Sequence, residues 1–281
     1  KWNIDLIMRL ETKIKLSDTN GYYGTPFRHW IIKSLPKLIK KYCPNRGAKI
    51  LDLGCGQGQY AEVIKKLNLE GEYLGIDIQS RENWNNITSK DELKINFMAH
   101  DAEKLSLINK NYNFLFAITS FEHFKNQESV INGAYQTTNN NGKILIIIPS
   151  HYSYLNYWTH GYRRYSNYSL KKLVEDAGYI DIKIGKIGGI FSFCFHFLWA
   201  NISRLIQKVL KLIVFLCFLG NMKKAREKLP TLLKLLDNIM FLHLKLKLGK
   251  IIHKFFIITT NKLDKWVPIF EIGYYCIAKK K

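Results

Sequence analysis

Negative charge is scarce in this sequence. Its 281 residues hold 22 Asp and Glu against 43 Lys and Arg, a net of +21. That balance works against cationic macromolecular partners and favours anionic ones, either nucleic acid or an acidic membrane surface. The chain is also heavy in Lys, Asn and Ile together, a compositional lean that carries no function by itself. Cysteine is sparse. The five, Cys43, Cys55, Cys194, Cys217 and Cys276, form no C-x-x-C pair and no Cys/His cluster of zinc spacing, so no metal site is expected. An odd, scattered set argues against a disulfide framework and for reduced thiols in a cytoplasmic setting. The opening "KWNIDLIMRLETK" has no apolar core of the kind a secretory signal carries. No uncharged apolar run reaches the ~18 residues that suggest a membrane-spanning helix.

What the sequence does have is alternation. "FRHWIIKSLPKLIKKY" reads as a helix leading into "AKILDLG", a buried strand, and Gln59–Leu67 reads as a second helix. "EYLGIDI", "INFMAHDA", "YNFLFAITS" and "KILIIIP" read as further strands. A short, poor helix is expected within 80–94, a helix at "ESVINGAYQTT" and a turn at "NNNG". "SLKKLVEDAGY" is a helix stopped by Gly178, and "IDIKIGKI" follows as a strand. Strands alternating with helices imply a parallel sheet covered on both faces, and runs such as "ILIII" fit strands buried on both sides. After Gly189 the texture turns apolar, basic and helical. The closing "EIGYYCIAKKK" reads as a strand that returns to the same sheet.

The stretch "ILDLGCGQG" places Gly54, Cys55, Gly56 and Gly58 between a strand and a helix, the usual position of a nucleotide-binding loop. Its spacing is G-x-G-x-G, not the G-x-G-x-x-G of dinucleotide binders. Charge sharpens the distinction. Asp52 sits at the mouth of the loop, where it suits a cationic ligand and penalises a pyrophosphate. S-adenosylmethionine (SAM) carries a sulfonium and an ammonium and has no phosphate. Asp77 ends the second strand, with Ile78 and Gln79 beside it, in the position of an acid that binds ribose hydroxyls. Asp101 follows the third strand. Its carboxylate suits an adenine amino group, and the Ala102 N–H suits a ring nitrogen. Any one of these acids alone is as well explained by a helix cap or a turn. Three at successive strand ends, with the glycines, point to a SAM site.

At these residues the chain resembles the class I SAM-dependent methyltransferases, and among them the type 11/12-like enzymes of glycan biosynthesis clusters. Ile50–Gly58 matches their first motif. "LGIDIQ", "HDAEKL", "SFEHF" and "NNGKILIIIP" follow in the family's order, and "HGYRRYSNYSLKKLVEDAGY" is similar to a later segment. The resemblance implies an α/β, Rossmann-like fold. Its seven-stranded, mostly parallel sheet would carry helices on both faces and a final antiparallel strand, with SAM at the carboxyl edge. Asp52 and Gly54–Gly58 would then hold the methionine part, Asp77 and Gln79 the ribose, and Asp101 and Ala102 the adenine, with Ser120 at the same edge. Residues 1–189, completed by about 263–281, would form the SAM-binding domain. Residues 190–262 would be an apolar, basic helical insertion.

Methyl transfer to an oxygen or nitrogen often needs a proton removed, and a base titrating near neutral pH serves best. His123, in "TSFEHF" after the fourth strand, is the candidate base; a capping or packing role weighs equally. His151 after the fifth strand, with Tyr162, Arg163 and Arg164 in "HGYRRY", are candidates for binding the acceptor, by stacking and by clamping an anionic group. The N-P-P-Y tetrapeptide of amino-group methylation of nucleic acid bases is absent. From Ile190 to Lys281 there are 17 Lys and Arg against 4 acids, a local net of +13. Arg204, Lys208 and Lys211 would share one helical face opposite Phe, Leu and Ile, an interfacial pattern. A helical hairpin packed on the domain or in a dimer is the rival reading.

The expected protein is a SAM-dependent methyltransferase acting on a small or lipid-linked acceptor, with a glycan-precursor hydroxyl as first choice. It would sit in the cytoplasm, peripheral on the inner face of the membrane and bound to anionic lipid. An isoprenoid quinone or other lipid, an RNA acceptor, and a SAM-binding scaffold without turnover are the alternatives.

Overall fold

The computed structural model describes residues 25–89, 92–107, 111–155, 161–198, 209 and 247–281. Helix α1, Pro26–Tyr42, opens on Thr25, whose hydroxyl accepts from the Arg28 N–H at 3.3 Å, with Pro26 in the first turn. Then come β1 (Ala48–Leu53), α2 (Gln59–Lys65), β2 (Gly71–Asp77), β3 (Leu93–Ala99), β4 (Tyr112–Ile118), α3 (Gln127–Thr137), β5 (Thr138–Pro149), α4 (Asn167–Asp176) and β6 (Ile180–Ile187). Residues 190–198 form α5. Helix α6 spans Lys247–Leu263, and β7 spans Gly273–Lys279.

The seven strands make one sheet in the order β3-β2-β1-β4-β5-β7-β6. β1 to β5 pair in parallel, whereas β7 pairs antiparallel with both β5 and β6. This is the α/β, seven-stranded, mostly parallel architecture that the sequence predicted, with the final strand returned to the sheet. Successive residues of a strand face opposite layers. Ile144, Ile146 and Ile148 of β5 join the core beneath α3 and α4, and Leu145 and Ile147 join the core beneath α1 and α2. The continuous apolar runs are therefore buried twice over.

Two local expectations are modified. The poor helix within 80–94 is a single 3-10 turn, Glu82–Asn86, organised by the buried Trp84. The "NNNG" turn is absorbed into the start of β5, where Asn141 takes a left-handed φ of 64°. The cationic face of Arg204, Lys208 and Lys211 lies outside the described residues. The two ends of the basic, apolar segment are fastened together: Asp264 Oδ1 accepts from the Phe191 and Ser192 N–H groups at 2.9 and 3.2 Å, capping α5 with a carboxylate from just past α6. Among the described residues, no helix is long and apolar enough to cross a membrane.

Candidate cofactor and acceptor site

The carboxyl ends of β1, β2 and β3 lie side by side, since Asp52 is in register with Gly75 and Asp77 with Ala99. The glycine loop fills the gap between β1 and α2. Gly54, Gly56 and Gly58 all have positive φ. A Cβ on Gly54 would stand 2.6 Å from the Ser120 Cβ, so the loop closes tightly on β4, whereas a Cβ on Gly56 would meet nothing within 4 Å. The loop is thus pressed down at one glycine and open above the other.

Its donors point inward. Gly54 and Cys55 N–H both donate to the Ile76 carbonyl, Gly58 N–H donates to the Cys55 carbonyl, and Gly56 N–H donates to Asp77 Oδ2 at 3.0 Å. A phosphate cradle needs such amides facing the ligand. Here four are already committed, one of them to a carboxylate that would repel a phosphate. Asp77 also receives the Gln79 N–H at 3.4 Å and Arg81 Nη2 at 3.2 Å. Beside it, Ile78 is 72% exposed, a flat apolar surface at the rim.

The other two acids are placed differently. Asp52 shares the edge but lies beneath it, 1% exposed, accepting the Tyr73 hydroxyl at 2.7 Å. Burial pushes its pKa up to about 8; the Tyr73 hydrogen bond works against this shift and the Asp77 charge adds to it. Asp101 caps the 3-10 turn Ala102–Leu107 by accepting the Glu103 N–H at 3.0 Å, and Ala102 is buried. Ser120 spends its hydroxyl on the Leu53 carbonyl at 2.5 Å, joining the ends of β1 and β4. Cys55 is buried under the loop, where burial raises its thiol pKa.

Trp84 was not singled out from the sequence, yet it braces the loop. Its indole N–H donates to the Gly56 carbonyl at 2.9 Å and its ring stacks on Phe97 at 5.2 Å. A tryptophan in an otherwise polar stretch was the available signal.

On the acceptor side the residues divide. His123 ends the 3-10 turn Phe121–His123; its side chain reaches solvent, yet desolvation by its neighbours, and then the Arg164 charge, lowers its pKa. Neutral imidazole therefore predominates near pH 7. His151 is exposed, its ring 3.9 Å from that of Tyr152. Tyr162 is exposed and its N–H donates to the Glu122 carbonyl at 2.7 Å. Arg163 turns away to pair with Glu128 on α3 at 2.6 Å, whereas Arg164 turns inward toward Glu122 and His123. Glu122, for which the sequence offered only a capping or packing role, is the second residue that stands out. Its carboxyl is buried, Oε2 has no hydrogen-bond partner, and burial pushes its pKa up to about 7 against the opposing Arg164 charge. Gly161, at φ +77°, lies directly over it: a Cβ there would stand 2.8 Å from the Glu122 carbonyl oxygen. Among the described residues no cluster of His, Cys, Asp and Glu is arranged to hold a metal.

Among curated proteins none matches the chain. Among solved structures, a Haemonchus contortus phosphoethanolamine N-methyltransferase 2 bound to phosphomonomethylethanolamine and S-adenosylhomocysteine aligns with a TM-score of 0.52 and 14% identity. The alignment covers 89% of this chain and 52% of that one, so the chain spans about half the length of that protein. The [4+2]-cyclase SpnF aligns with a TM-score of 0.52 and 15% identity, over 89% of this chain and 80% of its own. At such identities the likeness establishes the fold. The family itself comes from the sequence: residues 27–184 match the model described as a methyltransferase domain. The match runs from α1 through most of β6 and takes in the glycine loop, its acids and the turn carrying Glu122 and His123, so the chain belongs to the methyltransferase-domain family.

Proposed function

We propose that this protein methylates a small or lipid-linked acceptor at a membrane surface, with a glycan-precursor hydroxyl as first choice. The observation that carries the donor half is the inward commitment of the Gly54, Cys55, Gly56 and Gly58 amides above a carboxylate, which fits a phosphate-free, cationic nucleoside. SAM supplies the methyl carbon, made electrophilic by the sulfonium. The Gly54–Gly58 loop, with Cys55 buried in it and Asp52 beneath, would hold the methionine part. Asp77 would take the ribose hydroxyls in place of its Arg81 contact, with Gln79 alongside. Ile78, Asp101 and Ala102 would frame the adenine, and Ser120 would set the spacing between loop and acceptor turn.

His123, kept neutral by its surroundings, would take the acceptor's proton. Tyr162, Arg164 and His151 would bound the acceptor. Arg163 would reach it only by leaving Glu128. The membrane half is supported by the local net of +13 from Ile190 to Lys281 beside exposed apolar side chains. A quinone or other lipid would suit the same edge.

Thermal shift with SAM, S-adenosylhomocysteine and NAD tests the donor, and stabilisation by NAD alone would sink it. Methyl-labelled SAM incubated with membrane extract tests the acceptor. Label in the lipid or glycan fraction supports the reading, and label confined to RNA overturns it. Binding of SAM with no labelled product, and with His123→Ala unaltered, would make the protein a scaffold.

A further inference from the structure

Helix α6 presents its apolar residues to the wrong side. His253, Ile257 and Asp264 face inward and are buried, and the ring of Phe195 on α5 lies 5.6 Å from that of His253. A surface helix would carry polar residues on the opposite face. Here that face carries Ile251 and Phe255, 54% and 65% exposed, with Ile252 and Phe256 at its borders, 48% and 50% exposed, the Phe256 ring also meeting that of Phe195 at 6.3 Å. The segment after it continues the pattern with Trp266, 86% exposed, and Ile269. Exposed apolar residues this dense mark a contact surface, not ordinary solvent exposure.

Charge says what the contact is. From Lys247 to Phe270 the sequence holds five lysines and a single acid, Asp264, and that acid is buried as the cap of α5. Lys262 and Lys265 are exposed beside Leu263 and Trp266, so positive charge borders the apolar side chains. A second copy meeting this face around a two-fold axis would set lysines against lysines while desolvating them. A nucleic acid would use the lysines but leave the aliphatic residues and Phe255 and Phe256 without a role. An anionic bilayer uses both: aliphatic and aromatic side chains enter the acyl boundary, tryptophan settles at the headgroup level, and lysines reach to the phosphates.

We propose that the outer face of α6 and the turn through Trp266 form the docking surface for an anionic phospholipid bilayer. This names the partner face for the membrane-surface reading above and rests on it. The position is also informative. Phe270 closes the turn, its ring 4.9 Å from that of Tyr152, and Ser150 N–H donates to the Ile272 carbonyl at 3.1 Å. The docked surface is therefore continuous with the chain after β5, where His151 and the acceptor segment begin. A lipid-linked acceptor would enter from the bilayer plane without crossing open water.

The test uses the full chain and sedimentation with phosphatidylglycerol-containing vesicles, with pure phosphatidylcholine vesicles as control. Wild type is expected to sediment with the anionic vesicles only. Phe255→Ser with Trp266→Ser should lower binding about tenfold or more, and Lys262→Gln and Lys265→Gln about fivefold each. SAM-dependent thermal stabilisation, measured alongside, should be unchanged in all of them, which reports an intact fold. Unaltered vesicle binding by the Phe255/Trp266 variant overturns the proposal. So does a wild type that ignores vesicles while self-associating or retaining RNA through these residues. Vesicle binding without any SAM response would leave the docking surface standing and remove the methyl-transfer reading instead.

Discussion

The glycine-loop edge and the α5–α6 arm treat polarity in opposite ways. At the edge, polar groups turn inward: loop amides go to Ile76 and Asp77, Trp84 to Gly56, Ser120 to Leu53, and Tyr73 to Asp52. At the arm, apolar side chains such as Ile251, Phe255, Trp266 and Ile269 turn outward. Two tryptophans condense the contrast, Trp84 with 9% exposure and a hydrogen-bonded indole, Trp266 with 86%. A region that spends its hydrogen bonds internally is built to hold one geometry. A region that leaves carbon exposed gains little from its own fold and is built to meet something else.

The largest effect should come from breaking the edge at its tightest point. Gly54→Val puts a branched side chain at φ +74° and against Ser120. It should cost about 3 kcal/mol or more by denaturant unfolding and abolish SAM-induced stabilisation. Next, Trp84→Ala should cost about 3 kcal/mol and weaken SAM binding in calorimetry. Trp84→Phe retains the stack on Phe97 and loses only the bond to Gly56, so about 1 kcal/mol is expected. If the two substitutions proved equal, the hydrogen bond rather than the packing would be holding the loop.

A pH series sharpens the comparison further. Asp52 and Glu122 have folded pKa values raised to about 8 and about 7. Between the ordinary carboxylate range and those values the unfolded chain is ionised while the folded chain keeps its protons. Stability should therefore fall as pH rises from about 4 toward 8. Asp52→Asn should flatten that fall, read as melting temperature against pH, and Glu122→Gln should flatten its lower part. The smallest effect belongs to the arm: Trp266→Ser should change unfolding free energy by less than about 0.5 kcal/mol in the absence of lipid. A larger loss would mean that Trp266 is packed in solution, and the contrast between the regions would fail.

Much of the edge was legible in the sequence because its signals are local. Apolar runs mark doubly buried strands, glycines mark the loop, and acids at the ends of the first three strands mark the edge. Orientation was less legible. Asp52 lies on the Ile50 face of β1, so it points into the layer beneath α1 and α2 where Tyr73 waits; strand parity held that information, but the hydroxyl partner is 21 residues away. Glu122 and His123 are neighbours, and a tight 3-10 turn sends one inward and the other outward. Arg163 and Arg164 separate in the same way, through an α3 carboxylate that no spacing in their own segment reveals. Trp84 was hidden by polar neighbours. In the arm, composition gave the chemistry, but only the packing of α6 on α5 tells which side of the helix is left bare.

The sheet order has one consequence for how the molecule is made. β7 lies between β5 and β6, and among the described residues β6 has no other strand partner. While the ribosome is still producing α5 and α6, the far flank of the sheet consists of two open edges awaiting residues 273–279. Synthesis at about 5–20 residues per second leaves the segment from 190 to 272 outside the finished enzyme for seconds. On the docking proposal above, the arm would have that interval in which to meet lipid before the last strand zips the sheet shut.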